Sequence, residues 1–370
     1  MQIGYDAKRI FHNTTGLGNY GRDLVRIMAS FYPENRYVLY NPEPARVHRF
    51  VMQNNMQERQ PSGIYRFFPA LWRSRGVVND IKRDRIDIFH GLSGELPLGI
   101  SATGIPTVVS IHDLIFLRHP EWYKPVDRWI YKKKFYRTLK EARQIVAISE
   151  RTKKDILEFS HLQPERIQVI YQGCHSVFKS DIPAAYLFSI QEKYGLPEAF
   201  ILYVGTIEPR KNAFTVVKAL KDLPYHLVLA GRETSYARQI REFVREHKMT
   251  GRVTILSNLD LNELAALYRL AKVLVYPSIY EGFGIPIIEA LNSGTPVITN
   301  AHGVFPEAAG PGGIYLNDVF DVNEMREKLQ FAMENDLTEY EQKAKAYVRK
   351  FDDETIARQW MELYQKLIDE

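Results

Sequence analysis

Two acidic residues eight positions apart are the first candidates for chemistry in this sequence. Glu281 begins the segment Glu-Gly-Phe-Gly-Ile-Pro, and Glu289 follows in an apolar run that predicts a helix opened by Pro286. A carboxylate can accept two hydrogen bonds from a vicinal diol, so each glutamate could hold a sugar ring. The alternative is an ordinary loop charge and a surface helix residue, although a charge in so apolar a run is seldom left without a partner.

A basic pair lies upstream of these carboxylates. Arg210 and Lys211 belong to Glu-Pro-Arg-Lys-Asn, between a predicted strand and a predicted helix. A guanidinium fork, a mobile ammonium and the positive end of a helix together suit a diphosphate. On this segment alone, a solvated basic turn capped by Asn212 explains the residues equally well.

Glycines near the N-terminus form a third candidate. The run Gly16-Leu-Gly-Asn-Tyr-Gly21 matches G-x-G-x-x-G, but about ten residues separate it from the first predicted strand, and no acidic residue closes the second strand. The match therefore does not indicate a dinucleotide cofactor. A glycine-rich loop before a helix still lets backbone N–H groups approach a phosphate or sugar, so Gly16 and Gly18 are expected to face a substrate, with a plain structural turn as the alternative.

A histidine at the end of another predicted strand is the fourth candidate. His112, in Ile-His-Asp-Leu, could donate to a sugar hydroxyl or a backbone carbonyl, with Asp113 orienting it. A structural role is the commoner one for a lone histidine.

Strand and helix patterns alternate twice along the chain, with helices alone over 321–370. Ten strands are predicted: 2–6, 36–40, 86–90, 106–111, 144–148, 200–206, 226–230, 253–256, 273–276 and 296–299. Five helices are predicted between them: 21–31, 213–220, 236–247, 261–270 and 285–291. The stretch 171–198 lacks a pattern and is interpreted as a linker. These patterns predict two doubly wound α/β domains facing each other across a cleft, with ligands at the carboxyl ends of the strands.

The amino-acid composition and net charge exclude several classes of protein. The 370 residues suffice for two domains, and 45% apolar with 25% charged residues excludes a disordered, collagenous or coiled-coil chain. A net charge of +5 is too small for a dedicated nucleic-acid binder but suits an anionic ligand or an acidic membrane surface. The single cysteine, Cys174, fits a reducing compartment. We therefore expect a cytoplasmic protein, either soluble or peripheral at the inner face of the membrane.

Taken together, the motifs resemble those of a retaining glycosyltransferase of family 4 with the GT-B architecture, two Rossmann-like doubly wound parallel-sheet domains. The resemblance is specific at residues 208–212, 281–286 and 289, and weaker at 16–20 and 111–114. Among members, these forms are most similar to bacterial mannosyltransferases that use GDP-mannose, although UDP-sugar enzymes share much of the pattern. The resemblance implies a domain 1–175 for the acceptor, a domain 176–352 for the donor, and a helix 353–370 that crosses back onto the first domain.

The resemblance also implies residue roles on the donor side. Arg210 and Lys211 would bind the donor diphosphate, Glu289 the ribose hydroxyls and Glu281 the transferred sugar. Main-chain amides near the sugar and phosphates would come from Gly282, Phe283 and Gly284.

On the acceptor side, the resemblance places Gly16 and Gly18 along the cleft and His112 against the transferred sugar. The acceptor would be a glycan or a lipid-linked sugar. The sequence contains no Asp-x-Asp motif, so transfer is expected to need no metal and no cofactor besides the nucleotide-sugar donor. Two alternatives stay open: another enzyme of the same fold, such as an epimerase or a pyridoxal-phosphate-dependent phosphorylase, and a non-catalytic sugar-nucleotide-binding protein.

Two aromatic and basic segments, 66–73 and 122–143, suit the headgroup layer of an anionic bilayer. The alternative for each is a helix with a buried aromatic face and a solvated basic face.

Overall fold

The computed structural model describes all 370 residues, which divide into two compact units. The first unit contains Met1–Gly173 together with Phe351–Glu370, and the second contains Cys174–Lys350. The domain limits expected from the sequence lie within two residues of these divisions. Each unit is built on its own parallel sheet.

The sheet of the first unit has seven parallel strands in the order β3-β2-β1-β4-β5-β6-β7. Their bounds are β1 (Gln2–Asp6), β2 (Arg36–Tyr40), β3 (Met56–Arg59), β4 (Ile88–Gly91), β5 (Thr107–Ile111), β6 (Gln144–Ala147) and β7 (Ile167–Val169). The central strands are buried along almost their whole length because helices cover both faces of the sheet. The chain extends outward from β1 to β3 and then returns to add β4 on the other side of β1, which makes the β1/β4 edge a topological switch point.

Seven helices connect or flank these strands before the second unit begins. They are α1 (Lys8–His12), α2 (Gly16–Phe31), α3 (Pro69–Leu71), α4 (Val77–Arg83), α5 (Ile115–Arg118), α6 (Pro125–Glu141) and α7 (Glu150–Ser160). The amphipathic helix α2 buries Leu24, Ile27 and Met28, as its apolar spacing predicts, but it begins five residues earlier than the predicted helix 21–31.

The second unit has six parallel strands in the order β10-β9-β8-β11-β12-β13. Their bounds are β8 (Ile201–Val204), β9 (Leu227–Ala230), β10 (Val253–Leu256), β11 (Val273–Tyr276), β12 (Val297–Asn300) and β13 (Gly313–Leu316). The order reverses between β8 and β11, so this sheet has a switch point in the same topological position as the first.

The helices of the second unit are α8 (Ala184–Tyr194), α9 (Ala213–Leu220), α10 (Ala237–Glu246), α11 (Leu261–Leu270), α12 (Ile285–Asn292), α13 (Phe305–Ala309), α14 (Val322–Glu334) and α15 (Thr338–Tyr347). Helix α8 lies inside the predicted linker 171–198, so that prediction was wrong there. Pro183 directly precedes the helix, and Gly195 ends it in the left-handed conformation at φ 59°. The proline and the glycine that suggested a linker are the start and stop signals of a helix.

The last helix, α16 (Asp353–Asp369), packs within the first unit. Asp353 pairs with Arg26 of α2 at 2.9 Å, and the side chains of Trp360 and Tyr364 are fully buried. None of the helices combines the length and the apolar character that crossing a membrane requires.

All ten predicted strands are present, and three strands were missed: β3, β7 and β13. Each missed strand lies at an edge of its sheet. The sequence of β3, Met-Gln-Glu-Arg, is mostly polar and only partly buried, and β7 has three residues. Edge strands need less apolar burial, so they leave a weaker pattern in the sequence.

Candidate functional site

The basic and acidic segments of the second unit lie on neighbouring strands. Arg210 and Lys211 occupy a single 3₁₀ turn, Pro209–Lys211, after β8, and Asn212 leads into α9 with a left-handed backbone at φ 56°. Glu281 lies in the loop between β11 and α12. Because β8 and β11 are adjacent and parallel, both loops emerge at the switch point of the sheet.

Glu281 is held by four side chains. Its Oε1 accepts hydrogen bonds from the Ser278 hydroxyl at 2.6 Å, from Arg210 Nη1 at 3.0 Å and from the Tyr276 hydroxyl at 3.1 Å. The Lys211 ammonium also donates to this oxygen. The Glu281 side chain is 13% exposed. Glu281 is therefore a largely buried, fixed carboxylate, and the alternative of an ordinary loop charge was wrong.

Charges in this cluster compensate one another. Burial by itself raises the pKa of the Glu281 carboxyl, but Lys211 and Arg210 outweigh it and lower that pKa to about 2. Arg210 also pairs with Glu208 at 2.8 Å. Burial opposes the charge on Arg210, yet Glu281 and Glu208 raise its pKa above the usual value. Two cations thus face two carboxylates, which contradicts the alternative of a solvated basic turn.

The basic pair retains donors for a ligand. The Lys211 ammonium has three N–H groups and donates hydrogen bonds to two protein partners. These are Glu281 and the Tyr276 hydroxyl, which lies at 2.8 Å. Arg210 donates Nη1 to the Tyr280 carbonyl at 2.8 Å and Nη2 to Glu208. The same two cations can therefore orient the carboxylate and face an anionic group.

Glu289 lies in α12 and is 8% exposed. Its Oε2 accepts a hydrogen bond from the Tyr268 hydroxyl at 2.9 Å, which confirms that this charge has a partner within its apolar run. Burial, followed by the charge of Glu289, raises the pKa of Tyr268 well above its usual value, so the phenol remains a donor.

The three residues before α12 form its entry. Gly284 is the N-cap with φ 105°, a backbone conformation that favours glycine, and Phe283 is buried. Gly282 and Gly284 flank Phe283 in the loop that carries Glu281. The structure thus places the four glutamate, arginine and lysine side chains and this loop in one unit, at one end of its sheet.

The early glycines differ from the prediction. Helix α2 begins at Gly16, so Gly16 and Gly18 belong to a first helical turn and form no loop. A Cβ on Gly18 would lie 2.1 Å from the Asn13 carbonyl oxygen, so close packing explains that glycine. A Cβ on Gly16 would meet nothing within 4 Å. Close packing therefore explains why position 18 is a glycine, but it does not explain the glycine at position 16.

His112 follows β5 and is fixed by two contacts. Its Nε2 lies 2.8 Å from the Leu92 carbonyl oxygen, and Tyr20 packs edge-to-face on the ring at 4.5 Å between centroids. Burial lowers the pKa of His112 to about 4, so the ring is neutral near pH 7. With Nε2 donating to the carbonyl, Nδ1 is an acceptor for a hydroxyl. The Asp113 carboxylate accepts from the Ile115 N–H at 3.1 Å, at the start of α5.

A buried polar chain behind His112 was missed in the sequence. The Tyr20 hydroxyl lies 2.7 Å from the Ser110 hydroxyl, which lies 2.8 Å from His90 Nε2. His90 Nδ1 lies 2.7 Å from the Tyr364 hydroxyl of α16. Burial lowers the pKa of His90 to about 3. The only signal was a histidine directly after the apolar pair Ile88-Phe89 at the end of a predicted strand.

His112 also lines a cavity of about 240 Å³ within the first unit. Its wall includes Arg9, Leu17, Gly94, Asp113 and Tyr131. Cys174, to which no role is assigned, is buried and forms no disulfide.

Two doubly wound parallel sheets with a cation-held carboxylate at a switch point define a protein of the GT-B class. Comparison with known proteins makes this more specific. Residues 22–176 match the family model of Glycosyltransferase Family 4, and residues 189–351 match that of Glycosyl transferases group 1. Together the two models match most of the chain, which therefore belongs to the glycosyltransferases that carry both.

Several relatives of similar sequence are bacterial mannosyltransferases. The O-antigen chain mannosyltransferase B of Escherichia coli is 28% identical over 86% of this chain and 88% of its own length. The O-antigen chain mannosyltransferase RfbU of Salmonella typhimurium is 33% identical over 56% of each chain. The serotype-specific mannosyltransferase WbdA of Escherichia coli is 31% identical over 66% of this chain and 32% of its own.

Solved structures share the fold over nearly the whole chain. A glycosyltransferase of Rickettsia africae superposes with a TM-score of 0.77 at 17% identity, covering 99% of this chain and 98% of that one. HepE of Anabaena, in complex with UDP and glucose, gives 0.74 at 16% identity, covering 98% and 99%. WaaG, a glycosyltransferase involved in lipopolysaccharide biosynthesis, gives 0.73 at 17% identity, with 98% and 99% covered.

Proposed function

We propose that this glycosyltransferase transfers mannose from GDP-mannose, with retention and without a metal, to a glycan or lipid-linked acceptor in surface polysaccharide or glycoconjugate synthesis. The observation that carries the proposal is the buried Glu281 carboxylate held by Arg210 and Lys211 at a switch point. The mannosyltransferase names of the relatives support the sugar and the product class.

Departure of a nucleoside diphosphate requires positive charge near the leaving oxygens. Arg210 and Lys211 would supply it, because both present donors on a rigid loop and both are already positioned by Glu281. The sequence offers no Asp-x-Asp motif for a metal, so neutralisation by side chains is the route that fits these residues.

Glu281 would accept hydrogen bonds from the transferred sugar, and Glu289 from the ribose. A new bond forms between the anomeric carbon and the acceptor oxygen on the face from which the phosphate departs, and the leaving phosphate takes the acceptor's proton. Glu281 is engaged through Oε1 by cations and hydroxyls, which suits an orienting acceptor rather than a nucleophile. His112 would offer Nδ1 to a hydroxyl of the same sugar, and Gly16, the exposed start of α2, would face the substrate.

Thermal-shift screening with nucleotide sugars tests the donor. We expect GDP-mannose to raise the melting temperature more than UDP-glucose or ADP-glucose, because binding to the folded state stabilises in proportion to affinity. Transfer assays with and without EDTA, and NMR of the product anomer, test the metal and the stereochemistry. No stabilisation by any GDP sugar would refute the proposed donor, and an inverted product would refute retention.

A UDP-sugar donor is the second candidate. It is favoured by the fold shared with HepE, whose structure contains UDP and glucose. The same screen separates the two, since the preferred base gives the larger shift. A protein that binds the donor but neither hydrolyses nor transfers it would instead be non-catalytic.

We further propose that the first unit contacts anionic membranes peripherally. In α6, Val126 and Trp129 are 69% and 62% exposed, beside exposed Arg128, Lys132 and Lys133. Only the C-terminal half of this helix buries aromatic residues, such as Phe135, so the alternative of a buried aromatic face accounts for that half alone. A second segment adds exposed Ile64, Phe67, Phe68 and Leu71.

Liposome flotation tests this contact. We expect binding to vesicles with anionic lipid, weakening in high salt, and no binding to neutral vesicles. Trp129→Ser with Phe67→Ser is expected to abolish flotation without lowering the melting temperature. Absence of flotation of the unmodified protein on anionic vesicles would refute the contact.

A further inference from the structure

A second cavity in the first unit shares two of its lining residues, Glu95 and Lys134, with the cavity at His112. It has a volume of about 270 Å³. Asp6 ends β1 and Lys8 follows it, while Glu95 and Leu96 follow β4, and all four line the cavity. The cavity is therefore at the β1/β4 switch point, the position where doubly wound sheets bind ligands.

Six charged side chains line this cavity, four cationic and two anionic. The cationic residues are Lys8, Arg73, Lys134 and Arg137, and the anionic ones are Asp6 and Glu95. The formal charge of the lining is therefore +2.

Both carboxylates are already satisfied. Arg73 donates its Nε to both oxygens of Asp6 at 3.1 Å and its Nη1 to Glu95 at 2.8 Å. Lys134 donates to the other oxygen of Glu95 at 3.1 Å. Burial opposes the charge on Glu95, but Arg73 and Lys134 outweigh it and lower its pKa. These pairings use Arg73 and Lys134 and leave the surplus charge on Lys8 and Arg137.

Lys8 and Arg137 have no carboxylate within ion-pair distance anywhere in the chain. The Nε of Arg137 is buried and makes no hydrogen bond. Burial is the largest effect on the Lys8 ammonium and lowers its pKa, and the neighbouring Arg73 and Arg9 lower it further against smaller opposing effects of Glu95 and Asp6. An unsatisfied buried donor and an uncompensated cation in one cavity are costly unless a ligand completes them.

We propose that this cavity binds a phosphoryl group, with Lys8 and Arg137 as its ligands and the Asp6–Arg73–Glu95–Lys134 network as their rigid support. A phosphate dianion matches the surplus of two charges, and its oxygens accept from both a guanidinium and an ammonium. The volume accommodates a phosphoryl group with ordered water, since one water occupies about 30 Å³ of liquid.

The phosphoryl group is part of the acceptor, and this part of the inference rests on the proposed function. The walls of the cavity support it. Ala70 and the α6 residues Lys134 and Arg137 line the cavity, and each belongs to a segment that also carries exposed apolar side chains, such as Phe67 and Trp129. An acceptor that joins a phosphate to an apolar chain would fit both features.

Calorimetric titration of the whole protein with inorganic phosphate and pyrophosphate tests the anion site directly. We expect saturable binding that weakens at least tenfold in Lys8→Met and in Arg137→Met. The matched control is Lys140→Met, which removes an exposed charge from the same helix and should leave affinity unchanged. Sodium chloride at equal ionic strength should give no saturable heat. Equal losses in all three variants, or no saturable binding in the unmodified protein, would overturn the site.

Transfer kinetics then identify the source of the phosphate. With a short-chain polyprenyl phosphate sugar as acceptor, Lys8→Met should raise the acceptor KM at least tenfold and leave the donor KM unchanged. A rise in KM for this acceptor, but not for an unphosphorylated glycan, supports a lipid-borne phosphate. Phosphate binding with an unchanged acceptor KM would overturn the acceptor assignment, because free phosphate would then be the ligand. If no sugar is transferred at all, the proposed function fails while the titration still decides the anion site.

Discussion

The two switch points of this glycosyltransferase carry charge in opposite ways. In the second unit, Arg210 and Lys211 are compensated by Glu281 and Glu208, so the cluster is neutral before a ligand arrives. In the first unit, the carboxylates at the switch point are used by Arg73 and Lys134, and two further cations stay uncompensated. The fold provides the same position twice, but the side chains decide what each position can bind.

The difference has a chemical consequence. A compensated cluster is rigid and pre-organised, which is what stabilisation of a transition state requires. A cavity with a surplus of positive charge is neutralised when it binds an anion. Such a cavity suits recognition. We therefore expect turnover to depend chiefly on the cluster of the second unit, and the proposed phosphoryl site of the first unit to serve recognition.

The largest expected effect tests the compensated cluster. Glu281→Ala removes the group that positions Arg210 and Lys211, and it should lower kcat at least about a hundredfold. The far-ultraviolet circular dichroism should persist. Glu208→Gln is the matched control, since the Glu208 carboxylate pairs with Arg210 and its side chain is 31% exposed, and it should cost under about tenfold. A near-normal rate for Glu281→Ala would remove the second unit from its assigned role.

The glycines at the start of α2 separate packing from binding in the first unit. Gly18→Ala should destabilise the protein by about 1–3 kcal/mol or more, because its Cβ would meet the Asn13 carbonyl. Gly16→Ala should be neutral or stabilise by up to about 1 kcal/mol, because alanine is the better helix former and its Cβ has open space. Urea unfolding measures both. Equal stability of Gly18→Ala and the unmodified protein would contradict the packing explanation, whereas a stable but inactive Gly16→Ala would support substrate contact.

A buried hydroxyl of the last helix tests how the first unit is held together. Tyr364→Phe leaves His90 Nδ1 without its partner and should cost about 1–3 kcal/mol of unfolding free energy. Each kcal/mol of lost unfolding free energy lowers the melting temperature by roughly 2–4 °C for a unit of this size. Tyr131→Phe, which removes a hydroxyl from a 43% exposed side chain, should cause no shift. Identical shifts in the two variants would show that the buried chain contributes nothing specific.

The pH dependence of stability should differ between the two units. Burial lowers the pKa of His90 to about 3, below an unfolded value of about 6.5. In that pH range His90 is protonated in the unfolded chain but stays neutral in the folded protein. The free energy of unfolding therefore decreases as pH falls from 6.5 toward 3, by about 1.4 kcal/mol per pH unit. The pKa of Glu281 is lowered to about 2, so its ionised carboxylate stabilises the folded protein above about pH 4.5. That stabilisation is lost as pH falls toward 2.

Calorimetric melting between pH 7 and 5 checks this contrast. In that range the slope should come from the buried histidines His90 and His112 and not from Glu281, so His90→Gln should reduce the slope while Glu281→Gln leaves it unchanged. A slope unaffected by His90→Gln would contradict the buried neutral histidine.

The sequence predicted the second unit's site more completely than the first unit's. Glu281, Glu289, Arg210 and Lys211 follow strands of strong apolar pattern, and parallel strands must bring such residues to one edge. Glu289 in an apolar helix already required a partner, though not its identity as Tyr268. Local signals sufficed because each residue lies within a few positions of the strand that places it.

In the first unit, Gly16 and Gly18 were expected in a loop but form the first turn of α2. His90 was overlooked, since a histidine in an apolar strand has no local pattern that marks it. Its partners Ser110 and Tyr364 are 20 and 274 positions away. Such contacts depend on which strands pair and on where the last helix packs.

The sequence by itself determined the alternation of strands and helices, the two parallel sheets and the residue types at their carboxyl ends, because periodicity and spacing are local properties of the chain. Only the tertiary structure decided which charges compensate one another. Ion pairing depends on distances of a few ångströms between residues far apart in sequence, as between Asp6 and Arg73 or between Lys211 and Glu281. That is why the motifs predicted the residues of the cluster in the second unit, while Lys8 and Arg137, which have no ion-pair partner, became visible only once the chain was folded.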